Sequence, residues 1–170
     1  MWCSLLWAAL AAAFALLGLH HSVAAHEIRP AIVTVSFPAP DRVEITVSAN
    51  LEALIAGIGA QHKDSNDAPQ AATYNALRAL PPDVLAERFK AFAPRWLDSV
   101  GTLFDGVRAR LELTKVVVPD VKEASLARIS TIGLEAPLPA GARTFQWSYS
   151  SQFGASVLRT RNAATLVTMI

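Results

Sequence analysis

Two stretches near the start of the chain alternate strictly between apolar and polar residues, and nothing else in the sequence restricts its fold as much. Val33, Val35 and Phe37 alternate with Thr34 and Ser36; Val43, Ile45 and Val47 alternate with Glu44, Thr46 and Ser48. Successive side chains of a strand point to opposite faces, so each stretch has one core face and one wet face. Pro38-Ala39-Pro40-Asp41 lies between them. A Pro/Asp turn joining two such runs predicts an antiparallel hairpin.

The same period returns in the second half. After the Asp105-Gly106 turn signal, Val107, Ala109, Leu111 and Leu113 alternate with Arg108, Arg110, Glu112 and Thr114, and Val116-Val117-Val118 extends the run. Ala127 to Leu134 reads as a further strand closed by Pro137 and Pro139, and Phe145, Trp147 and Tyr149 start another, with Phe153 in phase. Val157 to Thr160 continues in the same manner.

Between the two β-rich halves the period changes. Leu51, Leu54, Ile55 and Ile58 have helical spacing, limited by Gly57 and Gly59. Gln61 to Pro69 is polar and reads as an exposed loop. Two helices follow. Asp67 is the expected cap of the first, with Pro69 in its opening turn and Tyr74, Leu77 and Leu80 on one side. Pro81-Pro82 separates it from the second, where Leu85, Phe89, Phe92 and Trp96 form an apolar stripe and Pro94 is expected to kink or split the helix. The pattern predicts a mainly β, α+β chain: an antiparallel β-sandwich-like domain with a two-helix insertion at about 68–99.

Met1 to Ala25 holds no Asp, Glu, Lys or Arg, and Leu5 to Leu19 is an apolar run. Val23-Ala24-Ala25 places small residues where a signal peptidase reads them, so residues 1–25 are expected to be a cleaved signal peptide, with His26 or Ala25 as the new N-terminus. The apolar run is shorter than the ~20 residues of a spanning helix. The expected domain is then 26–170, exported to the periplasm or the outer side of a membrane. The single cysteine, Cys3, leaves with the leader, and a thiol-free body suits an oxidising compartment. One cysteine also excludes a disulfide framework, and a formal net charge of +1 gives no field that would recruit nucleic acid.

Four stretches together carry a resemblance: His26-Glu27-Ile28-Arg29-Pro30, Asn50-Leu51-Glu52-Ala53-Leu54, Tyr74 to Pro82 (YNALRALPP), and Phe145-Gln146-Trp147 leading to Phe153-Gly154-Ala155 and Leu158-Arg159. In this order behind a leader, they resemble the N-terminal extracytoplasmic region of HupE/UreJ-type bacterial membrane proteins. The resemblance implies a non-enzymatic accessory domain beside a membrane partner, in a family associated with nickel supply. That family's transmembrane bundle has no counterpart here, since no run of 18 apolar residues follows Ala25.

The alternative reading is a periplasmic copper protein. With cleavage after Ala25, the α-amine and imidazole of His26 can chelate a metal ion, and His62 can add a third nitrogen in the T-shaped set that suits Cu(II). His26 and His62 are thus the candidate metal ligands, for copper or nickel, with Asp64 and Asp67 as nearby oxygen donors; no other cofactor is expected. No nucleophile elbow, P-loop or dinucleotide fingerprint is present, and the carboxylates are scattered. The row Phe145, Trp147, Tyr149, Phe153 reads as core, with a ligand platform as the other option. Arg108, Arg110, Arg159 and Arg161 are expected to form a basic strip on neighbouring strands, suited to anionic headgroups.

Overall fold

The computed structural model describes residues 29–59, 61–62, 65–123 and 126–161. The leader, His26 and the residues after Arg161 lie outside them. Two sheets and three α-helices share one core, giving the sandwich-like α+β architecture that the alternation predicts.

Strands β1 (Ala31–Ala39) and β2 (Arg42–Ala49) form the expected hairpin, with Val33 opposite Val47 and Val35 opposite Ile45. These four side chains are at most 1% exposed and lie on one face, as period two requires. Asn50 then caps α1 (Leu51–Ala56): its side-chain oxygen accepts from the Ala53 N–H at 3.0 Å. Gly57, left-handed at φ 73°, closes that helix, a conformation costly for any residue with a Cβ.

The start of the next helix differs from the sequence expectation. Ser65–Asp67 is a short 3₁₀ turn, and α2 (Ala71–Arg78) begins after Gln70, with no side-chain cap. Pro69 disfavours helical backbone at Ala68, so Asp67 cannot feed directly into the helix. Buried Ala68 instead packs beside Ile58 and Tyr74.

Helix α3 runs unbroken over Pro82–Leu97, with Pro82 in its first turn. Pro94 does not split it. The carbonyl that Pro94 leaves without a donor belongs to exposed Lys90, where water can satisfy it, and the last turn is held by Trp96, fully buried with its ring 5.5 Å from Phe89.

Strands β3 (Val100–Phe104) and β4 (Val107–Arg108) meet at Asp105-Gly106. Both turn residues have positive φ, 48° and 80°, the geometry that matches hairpin twist and favours glycine at the second position. The expected continuous strand beyond Val107 is broken at residues 109–111. β4 belongs to a three-stranded sheet, β4-β3-β7 with β7 at Phe145–Tyr149, whereas β5 (Glu112–Val117) belongs to the five-stranded sheet, β5-β6-β2-β1-β8 with β6 at Ser130–Pro137 and β8 at Ser156–Arg161. The chain changes sheets without changing its alternation.

Strand β6 spans Ser130–Pro137, three residues later than Ala127–Leu134, because Arg128 is engaged elsewhere. β7 (Phe145–Tyr149) pairs with β3, and β8 (Ser156–Arg161) closes the larger sheet. One pair departs from the antiparallel expectation: β8 runs parallel to β1, with Val33 beside Leu158. Parallel neighbours need a crossover connection, and here the rest of the domain supplies it. Phe37 of the larger sheet meets Phe145 of the smaller one edge-on at 6.3 Å, so the two layers touch directly.

Candidate functional site

The densest polar arrangement is buried where α1, α2 and the approach to β6 meet. Glu52, in the first turn of α1, is 0% exposed, and Arg128 is 4% exposed. Arg128 donates from Nε to Glu52 Oε1 at 2.7 Å. Its other nitrogens point to the last turn of α2 and beyond: Nη1 to the Leu80 carbonyl at 3.2 Å, and Nη2 to the Leu77 and Arg78 carbonyls at 3.4 and 3.5 Å. A cation over the carbonyls of a helix C-terminus is favourable twice over, as donor and as counter-charge. Glu52 Oε2 has no hydrogen-bond partner among the described residues.

Beside the pair, Asn50 Nδ2 donates to the Tyr74 hydroxyl at 2.9 Å. Burial pushes the Tyr74 phenol above its ordinary value, against the opposing pull of the Asn50 hydrogen bond. Arg78 extends the network outward, donating to the carbonyls of Glu123 and Leu126 and so tying the 119–129 connection to α2. Asn50 and Glu52, Tyr74 and Arg78 come from the second and third resemblance stretches. Their side chains hold helices in place, and Arg78 also lines, with Arg128, a pocket of about 250 Å³ under the 119–129 connection.

The aromatic row packs against α3. Phe145 and Phe153 are buried, Trp147 and Tyr149 half-buried. Trp147 stacks on Tyr149 (6.4 Å between centroids, 17° between planes), and Tyr149 meets Trp96 edge-on at 6.4 Å. Phe153 meets Phe92 edge-on at 5.9 Å. This is core, as expected. Burial pushes the Tyr149 phenol up to about 12, outweighing the Trp96 indole beside it.

Of the two candidate metal ligands, His26 and His62, only His62 lies within the described residues. It is half-buried in the loop after α1, its backbone N–H bonded to the Gly59 carbonyl at 3.4 Å. Asp67 is exposed in the 3₁₀ turn, and Asp64 lies outside the described residues. No group of three or more His, Cys, Asp or Glu among the described residues is placed to hold a metal ion.

The basic strip is not assembled. Arg108 belongs to the smaller sheet and donates to the Asp98 and Val100 carbonyls, closing the end of α3, while Arg110 lies in the break between β4 and β5. Arg159 and Arg161 lie on β8, the last strand of the larger sheet. Alternation alone placed all four on strands but could not say which strands were neighbours.

Asp105 does more than turn the chain between β3 and β4. Its carboxylate accepts from the Arg143 and Thr144 N–H groups and from the Thr144 hydroxyl, at 2.8 to 3.2 Å. Those bonds, the Thr144 backbone first, hold its acid below the ordinary carboxylate value. The bracket ties the turn to the start of β7. Among the described residues no helix is long and apolar enough to cross a membrane. No protein-family model, curated protein or solved structure matches the chain.

Proposed function

We propose that the chain is a non-enzymatic, exported accessory domain of the HupE/UreJ type, which works by contact with a membrane partner and supports nickel uptake through that partner. The observation that carries this reading is where the buried charges are used. Glu52 and Arg128 are bonded to each other and to helix ends, which makes a rigid body with its polar chemistry turned inward. Such a body acts through its surface. The uncharged leader ahead of a cysteine-free body supports delivery across a membrane.

The test has two arms. A reporter enzyme active only outside the cytosol, fused behind Arg161, is expected to be active, and the processed protein is expected to begin at His26 or Ala25. Activity confined to a cytosolic reporter, or a protein that keeps Met1, overturns export. Nickel accumulation in cells lacking the gene is expected to fall. Unchanged accumulation removes nickel from the reading and leaves the docking role standing.

A further inference from the structure

The geometry points to the outer edge of β8, unpaired among the described residues, as a docking site for an extended, acidic segment of another protein, added as a further strand. The Ala31 N–H bonds the Ala155 carbonyl at 2.9 Å, and Ala31 lies in register with Ser156. In a parallel ladder this fixes the pattern: the backbone groups of Val157, Arg159 and Arg161 face β1, and those of Ser156, Leu158 and Thr160 face away. Among the described residues no strand pairs with that outer side. Three N–H donors and three carbonyl acceptors are therefore presented in a row, which is the template for strand addition.

Side chains say what kind of strand fits. Val157, 46% exposed, and the exposed Arg159 and Arg161 share the outward face. Neither arginine side chain has an ion pair or hydrogen bond among the described residues. Across the sheet, Arg159 is in register with Thr34 and then Thr46, and Arg161 with Ser36 and then Glu44 two strands away, so no acid on the adjacent strand pairs with either. Residues directly opposite on an added strand come within about 5 Å, where opposite charges help and like charges oppose. A second copy of β8 would bring arginine to arginine. An acidic strand, with Asp or Glu at alternate positions, complements both.

The other edge of the sheet is a poorer template. β5 carries a bulge between Leu113 and Lys115 and mixes Glu112 with Lys115. β8 pairs with β1 over six residues in unbroken register.

The inference deepens the accessory-domain reading by giving its partner a chemistry. It rests on the docking part of that reading, and it is measured on purified full chain, independently of the export and nickel assays. The probe is a short synthetic peptide alternating Glu with Val, with a Lys/Val peptide as control. Only the Glu peptide is expected to bind, weakly, as interfaces below about 1,200 Å² do. On binding, the amides of Ser156, Leu158 and Thr160 gain protection from hydrogen exchange while those of Val157, Arg159 and Arg161 do not change. Arg159→Glu/Arg161→Glu, at exposed positions, weakens binding about tenfold. Thr160→Pro removes an outward N–H and leaves the β1 ladder intact, so binding is lost while the thermal midpoint holds. Four results overturn the proposal: no peptide binding, binding without amide protection, equal binding by the charge-reversed variant, or binding of anionic vesicles in place of the peptide.

Discussion

Replacing Arg128 by methionine is the sharpest perturbation of this fold. The substitution keeps most of the volume and removes the charge. It leaves the carboxylate of Glu52, 0% exposed, without the 2.7 Å partner that compensates its burial. Breaking a buried pair from one side costs about 3–5 kcal/mol. The carbonyls of Leu77, Arg78 and Leu80 also lose a donor, but at 3.2 to 3.5 Å those bonds are long and add little beyond the orphaned charge. The expected loss is about 4 kcal/mol, a large part of the ~5–15 kcal/mol that holds a typical domain together. Urea unfolding followed by tryptophan fluorescence measures it, with an unchanged m-value showing that the denatured state is the same. The decisive companion is Glu52→Met/Arg128→Met. With both charges gone, no buried ion is left unpaired, and apolar replacements of such pairs are often neutral. The double variant is therefore expected to be more stable than Arg128→Met alone by at least about 2 kcal/mol. A double variant as unstable as the sum of the two single ones would refute the argument, and so would an Arg128→Met cost below about 1 kcal/mol.

Three further predictions use other parts of the molecule. Tyr74 and Tyr149 are the only tyrosines, and both phenols are raised, Tyr149 to about 12. Their stabilising contribution is full below the ordinary value of 10.0 and is lost as pH climbs through the folded values; ultraviolet titration at pH 10 should show less tyrosinate in folded than in unfolded protein, and equal amounts would contradict the burial of both phenols. Asp105 behaves in the opposite sense: its acid is depressed below 3.8, so its contribution is present above that pH and disappears as pH falls through the folded value. Carboxyl NMR should place its midpoint below 3.8, and Asp105→Ala should flatten the acid limb of stability against pH; a midpoint at or above 3.8 contradicts the turn bracket. Trp96→Ala, at a fully buried position, should cost about 3–5 kcal/mol, and Trp147→Ala, half-buried on its sheet, about half as much. Equal losses in denaturant melts would mean that the aromatic row does not grade from centre to rim.

What could be read from the sequence was local. The β1–β2 hairpin, the Leu51–Ala56 helix, the Asp105-Gly106 turn and the aromatic row are each written in contiguous residues, where period and turn chemistry agree. What could not be read was pairing at a distance. Glu52 looked like one of several scattered carboxylates, and its partner is 76 residues away. A clue existed: Glu52 interrupts an otherwise apolar turn of helix, and a buried acid needs a cation. It does not say which cation. The change of sheets between β4 and β5 was equally silent, since alternation records which way side chains point and not which strand lies alongside. The four arginines failed as a strip for that reason. Pro94 does not split its helix, and the sequence alone does not show that the residue whose carbonyl loses a donor, Lys90, is exposed.

The parallel β1–β8 ladder joins the first and last described strands of the domain. In kinetic terms this is a contact of very high order, and its loop-closure entropy is met only when nearly the whole domain is available. The larger sheet cannot be completed before β8 is made: β2 can meet β1 early, but the seam along the other side of β1 stays open until β8 arrives. Until then β1 is held along one side only, and the domain remains threadable.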